Sequence, residues 1–372
     1  MTGLKKKVRV LIVEDSAFMR KVLHDIIAAD PGMEVAGQAK DGREGVALAE
    51  SLQPDVITMD VNMPRLDGLG ATELIMSQNP RPIVIVSSES RDGAASTLRA
   101  LELGAVDFVP KPSSGIDLDM RNVGEELTRK LKMAAKVRVV RTATLSRLAS
   151  SVAVRGPIPR VVPSHGSQQP TVSAGKFPVV VIAASTGGPA TVMDLVSRLP
   201  KDLVAAIVVV LHMPASFTHQ YSVQLGEVSP LRVKDAQNGE AVQPGTVYVC
   251  PGSHHLRFAS GARFALDAGD RIGGYRPCAD VALETAAQYL GTMTVAVILT
   301  GMGNDGARGV KAVREVGGYV IAQNEATSVI FGMPAEAIKT GVVNEVLPIE
   351  QIASAIERRT HQIAKPIPVM SR

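Results

Sequence analysis

The chain has 372 residues, long enough for two or three domains that each bury a core. Apolar residues make up 45% but aromatics only 3%, so Val, Ile, Leu, Ala and Met must fill those cores, as where buried parallel strands pack on helices. The net charge of +4 is mild and two cysteines make neither a disulfide framework nor a zinc cluster, which fits a reducing cytoplasm; no apolar run approaches the roughly 20 residues that span a bilayer, so no membrane insertion is expected.

The opening "MTGLKKKVRVLIVEDS" sets lysines before a short apolar run. That run ends in Glu14-Asp15 and reads as a strand rather than a signal peptide. Val8–Val13, Val35–Gly37, Val56–Met59, Ile83–Val86 and Val106–Val109 read as strands. Phe18–Ala28, Glu44–Ser51, Leu69–Met76, Ala94–Leu103 and Val123–Ala135 carry helical spacing between and after them. The alternation predicts a five-stranded, doubly wound parallel sheet, with its ligand site outside the carboxyl ends of the strands. Glu14, Asp15, Asp60, Ser87 and Lys111 gather at those ends. Three hard carboxylates, Glu14, Asp15 and Asp60, suit Mg²⁺, with the backbone carbonyl of Asn62 as a further ligand. Lys111 adds a point positive charge and Ser87 a hydroxyl, which together would let Asp60 attack phosphorus as an acyl-phosphate nucleophile. Any one of these acids alone would read as a strand-end cap. The reading rests on acid pair, Asp, Ser and Lys each ending a different strand.

Residues 8 to 112 resemble a response-regulator receiver domain, through "LIVEDS", "ITMDVNMPRLDGL", "VIVSSES" and "AVDFVPKP". The resemblance implies that Glu14 and Asp15 are metal ligands, that Asp60 is phosphorylated, that Ser87 and Lys111 contact the phosphoryl group, and that Phe108 is the aromatic switch position. A histidine kinase is the implied phosphodonor.

From Leu127 to Lys176 every charged residue is Lys or Arg, and the stretch ends in "RGPIPRVVPSHGSQQPTVSAG". Without periodicity or interleaved aromatics it reads as a solvated tether and not as a nucleic-acid binder. The expected domains are a receiver at 1–125, a basic linker at 126–176 and a catalytic domain at 177–365. In the last, Val179–Ala184, Ala205–Leu211, Thr294–Leu299 and Tyr319–Ala322 read as buried strands. The expected helices are Ala190–Arg198, Ser216–Leu225, Val281–Leu290, Ala307–Glu315 and Ala335–Thr340. The stretch "GTVYVCPGSHHLRFASGARFAL" alternates around glycine turns and predicts an antiparallel hairpin inserted in a mostly parallel α/β sheet.

The run "VVVIAASTGGPA" poses a choice between a phosphate cradle and a nucleophile turn. It has neither GxGxxG nor a P-loop lysine, so the nucleophile reading is favoured. Ser185, His212 in "VVVLHMP" and Asp305 in "ILTGMGNDGA" each follow an apolar run and would share one sheet edge. A serine needs a base, and that base needs a carboxylate to hold its tautomer. His254-His255 is a rival base or metal pair, although adjacent strand histidines face opposite ways.

Residues 177 to about 360 are similar to the catalytic domain of the chemotaxis protein-glutamate methylesterase (CheB) family, through "ASTGG", "LHMPASFT", "VYVCPGSHHL" and "LTGMGNDGA". The resemblance implies Ser185 as nucleophile, His212 as base and Asp305 as orienting acid, with Thr186 and Met302 beside them. It implies hydrolysis of glutamate γ-methyl esters on cytoplasmic chemoreceptor helices, deamidation of glutamine there, and no cofactor in the esterase site. Ala183 stands where the family often has glycine. An adaptor that binds without turnover, and a serine esterase acting on small molecules, are the competing readings.

Overall fold

The computed structural model describes residues 6–88, 90–111, 117–137 and 177–364. Most of the expected linker, and Pro112 of the lysine motif, lie outside them.

In the N-terminal half, β1 (Val8–Val13), β2 (Met33–Ala39), β3 (Val56–Asp60), β4 (Ile83–Ser87) and β5 (Asp107–Pro110) form a five-stranded sheet in the order β2-β1-β3-β4-β5. All of its pairings are parallel. The strands read as unbroken apolar runs because helices cover both faces, and Val10 to Val13 and Ile83 to Ile85 are fully buried. The covering helices are α1 (Ala17–Ala29), α2 (Gly42–Leu52), α3 (Gly68–Gln78), α4 (Arg91–Glu102) and α5 (Asp117–Ala134). Ser16, Asp41, Asp67 and Ser90 start the first four by accepting a first-turn N–H on their side chains. The domain boundary expected at residue 125 cuts through α5. Leu127, Leu131 and Ala134 are buried in the core of this half, which keeps the helix going into the basic stretch.

The C-terminal half runs through β6 (Val179–Ala184), β7 (Ala206–Leu211), β8 (Arg232–Asp235) and β9 (Thr246–Val249). It continues with β10 (His255–Ala259), β11 (Arg263–Asp267), β12 (Thr294–Ile298), β13 (Tyr319–Gln323) and β14 (Glu345–Leu347). Helices α6 (Gly188–Ser197), α7 (Ala215–Val228), α8 (Ala279–Leu290), α9 (Ala307–Glu315), α10 (Met333–Lys339) and α11 (Ile349–Ala364) alternate with them. The seven-stranded sheet has the order β14-β13-β12-β6-β7-β9-β8. The hairpin is placed differently from expectation. "TVYV" is the buried parallel strand β9, whereas β10 and β11 form a separate two-stranded antiparallel ribbon. The ribbon is held by backbone hydrogen bonds of Phe264 with Gly239 and Glu240 and by side chains, with Phe258 and Phe264 packed together and Phe264 edge-on to Tyr248. Edge strands β8 and β14 have no apolar run to announce them. Their sequences, "RVKD" and "EVL", are only partly covered.

Candidate functional site

Asp305, Ser185 and His212 lie beyond the carboxyl ends of β12, β6 and β7, which are neighbours at the centre of the sheet. The β6–β7 register ends at Ala184 opposite Leu211, so Ser185 and His212 are the next residue on each strand. The chain builds outward from β6 on one side and returns on the other through β12, which is where α/β sheets open a crevice. The N–H of Ser185 donates to Thr300 (3.0 Å), and the N–H of Gly188 closes the turn onto the Ser185 carbonyl (2.7 Å). Gly187 supplies the left-handed conformation, with φ 75°. At Gly301 a Cβ would come within 2.9 Å of the Ser185 Cβ, so only glycine fits against the serine. Ala183 is instead an ordinary strand residue paired with Val210 and Ile298, with no positive φ, and strains nothing.

His212 Nε2 meets Asp305 Oδ2 at 2.8 Å. Among the described residues its Nδ1 is buried without a hydrogen-bond partner. Asp305 is held from behind by the start of α8. The N–H groups of Ala279 (2.6 Å) and Asp280 (2.9 Å) donate to it, as does the Cys278 thiol (3.1 Å). Burial would push this carboxyl up, but the His212 hydrogen bond and the helix amides hold it below its ordinary value. Burial and the Asp305 charge push the Cys278 thiol up to about 12, so it stays a donor. Tyr275 stacks on the His212 ring, with centroids 4.3 Å apart and planes 17° apart. The rival histidines are elsewhere engaged, His254 with the Ser253 hydroxyl (2.7 Å) and His255 with the Asp270 carbonyl (2.9 Å).

The second polar cluster lies at the β1 and β3 ends, the switch point of the first sheet. Ligand oxygens of Glu14, Asp15 and Asp60 lie within 4.8 Å of one another. Lys111 Nζ is 2.9 Å from Asp60 and 3.0 Å from Glu14. Burial, then the Asp60 charge, pushes the Glu14 carboxyl up to about 7 despite Lys111. Burial also raises Asp60, while the two acids outweigh burial at Lys111 and raise its ammonium. Hard oxygens carrying surplus negative charge fit a divalent cation. Asn62 is exposed, and its backbone N–H donates to Asp60. Ser87 is not brought onto Asp60. Its hydroxyl donates to the Gly93 carbonyl (3.2 Å) at the start of α4.

The family model for the CheB methylesterase matches residues 180–356, and that for the response regulator receiver domain matches residues 10–122. A protein-glutamate methylesterase/protein-glutamine glutaminase of Pyrococcus abyssi is 42% identical, over 98% of this chain and 96% of its own. The chain belongs to the CheB methylesterase family. A relative of the same name from Thermotoga maritima is 45% identical, over 93% of this chain and 96% of its own. The crystal structure of the Thermotoga maritima CheB methylesterase catalytic domain is 43% identical, covering 49% of this chain and 98% of that one, with a TM-score of 0.48.

In this CheB-family chain the receiver lies against the serine edge. Thr186 Oγ1 donates to Asp107 Oδ2 at 2.6 Å. The other Asp107 oxygen takes Lys130 Nζ (3.0 Å), which also donates to the Phe108 carbonyl (2.6 Å). The rings of Phe108 and Phe217 on α7 are 4.5 Å apart, and α4 packs on α7 and α6. Met302 is half-buried on the loop that leads to Asp305. Sequence reasoning missed Asp107, Tyr275 and Cys278. The adjacency of Asp107 to Phe108, and of "GGYRPC" to a helix start, was the available signal, but neither names a partner.

Proposed function

We propose that this chain is a phosphorylation-regulated protein-glutamate methylesterase that also deamidates glutamine, with Ser185 as nucleophile, His212 as base and Asp305 as orienting acid. The observation that carries the reading is the 2.8 Å contact between His212 and a carboxylate fixed by a helix start, beside the strand that ends in Ser185. Ser185 Oγ attacks the γ-carbonyl of a glutamyl methyl ester as its proton passes to His212. Asp305 stabilises the imidazolium. The proton then leaves with methoxide as methanol, and water resolves the acyl-enzyme with His212 again as base. A glutamine side chain would lose ammonia by the same route. Thr186 and Met302 border the reacting carbonyl, and backbone N–H groups near the glycine turn or Gly301–Gly303 meet the oxyanion.

In the receiver, Asp60 accepts a phosphoryl group from a histidine kinase. Glu14, Asp15, Asp60 and the Asn62 carbonyl would hold Mg²⁺, which offsets the charge between donor and carboxylate. Lys111 and a reoriented Ser87 contact the phosphoryl oxygens, and Phe108 follows. The substrates are methylated glutamates on cytoplasmic chemoreceptor helices. Among the described residues no helix is long and apolar enough to cross a membrane. With α5, which ends at Ala134, counted in the receiver, the basic stretch that follows it in the sequence is the tether and the esterase domain begins at 177. The deciding experiment is methanol release from methylated receptor by Ser185→Ala protein in the presence of Mg²⁺ and acetyl phosphate. Turnover should fall by several orders of magnitude. Wild-type turnover by a folded, pure variant would exclude Ser185 as the nucleophile.

A further inference from the structure

The segment from Ile272 to Asp280 touches both the base and its acid. Ile272 and Tyr275 exchange backbone hydrogen bonds at 3.0 Å around Gly273 and Gly274, both with positive φ. This tight turn presents the Tyr275 ring. The ring lies nearly parallel to His212 at 4.3 Å, while its Oη end abuts Gly303, where a Cβ would fall 2.0 Å from the oxygen. Three residues further on, Cys278 and the first amides of α8 hold Asp305. The imidazole is therefore fixed at its edge by a carboxylate and on one face by an aromatic ring. The edge contact sets which nitrogen is engaged. It leaves the ring free to rock about the Nε2–Oδ2 line, and a stacked neighbour opposes that motion.

We propose, resting on the reading of His212 as the base, that Tyr275 is a positioning residue for catalysis, whose ring holds the imidazole plane and stabilises the imidazolium formed when Ser185 gives up its proton. The face of an aromatic ring attracts a cation, and does so more strongly when both are screened from water. Half-burial pushes the phenol up, so the ring meets His212 neutral. Gly303 serves the same arrangement, because any side chain there would strike the phenol. The stack acts in the proton-transfer step and not in holding the ester, so its loss should appear in kcat and leave KM alone.

The test uses full-length protein activated with Mg²⁺ and acetyl phosphate, and methylated receptor as substrate. Tyr275→Leu should lower kcat by roughly 5- to 30-fold, the range of a desolvated cation–aromatic contact, with KM within about twofold. Labelling of Ser185 by a fluorophosphonate, which needs the same base, should slow by a similar factor. Tyr275→Phe keeps the ring and should recover kcat to within about threefold of wild type. Tyr275→Met, a second ringless variant, should match Tyr275→Leu and guards against misfolding of the first. Three outcomes would overturn the assignment: unchanged kcat in both ringless variants, a rise in KM alone, or a Phe variant as slow as the Leu variant. Ser185→Ala measured alongside separates the two readings. If it retains turnover the triad itself falls, whereas an inactive Ser185→Ala beside a fully active Tyr275→Leu removes only the stack.

Discussion

The hydroxyl of Thr186, the residue after Ser185, donates to the carboxylate of Asp107 in the receiver across 2.6 Å. Both groups are buried, and Lys130 and Phe108 share the same carboxylate. One aspartate thus ties the serine turn to the strand that carries Phe108.

If that contact holds the receiver over the site, Asp107→Asn should raise methanol release by the unphosphorylated full chain. A buried hydrogen bond to a charged group contributes roughly 1.5–3 kcal/mol, so a rise of about tenfold or more is expected, with a smaller further gain on adding donor. Asp107→Ala should act in the same direction and also lower stability, because the buried Lys130 ammonium would keep the Phe108 carbonyl but have only the half-buried Glu126 as a charged partner among the described residues. A resting rate equal to wild type in both variants would show that the contact is incidental to control.

Asp60→Asn should leave resting hydrolysis unchanged and abolish stimulation by Mg²⁺ plus acetyl phosphate. Lys111→Met should weaken the stimulation too, because it removes the cation 2.9 Å from Asp60. Phosphate incorporation on intact protein, followed with and without EDTA, checks both variants. Label on Asp60→Asn at the wild-type rate would move the acceptor elsewhere.

Asp305→Asn should cost about three to four orders of magnitude in kcat, because the amide cannot balance the imidazolium. Its NH₂ would also confront N–H donors from Ala279 and Asp280, which now meet one oxygen each. Asp305 sits below its ordinary value of 3.8. Its ionised form therefore contributes stability above that value, and the contribution is lost as pH falls through the lower folded value. Wild type should melt higher than Asp305→Asn at pH 7, and the gap should close only in acid below the ordinary carboxylate range. A constant gap in melting temperature from pH 7 to pH 3 and below would contradict the assignment of charge.

Cys250 and Cys278 are both buried, with thiols pushed from 9.0 up to about 12. The thiolate is the reactive form, so native protein at pH 8 should resist iodoacetamide, while denatured protein should take up two equivalents. Because the folded values lie above the unfolded ones, the stability tied to the neutral thiols is full below pH 9 and declines as pH rises towards 12. Rapid native alkylation at pH 8, counted by mass spectrometry, would contradict this.

The sequence by itself determined where chemistry could sit, because a buried strand is mostly apolar along its length and charged groups gather where it ends. Glu14, Asp60, Ser185 and His212 were legible for that reason, and the motif pattern around them carried the family. It also determined the helices of the receiver, whose caps are local. Tertiary structure alone decided which strand ends are neighbours, since it sets β12 beside β6, more than a hundred residues away in the chain. It decided that Ser87 turns to Gly93 and not to Asp60, a choice of side-chain rotation that no spacing encodes. It set the hairpin beside the sheet, because alternation specifies a two-faced ribbon but not the strand it must pair with. It also placed Tyr275 on His212 and Asp107 on Thr186. An aromatic after two glycines and an aspartate before a phenylalanine acquire a role only when another part of the chain is packed against them.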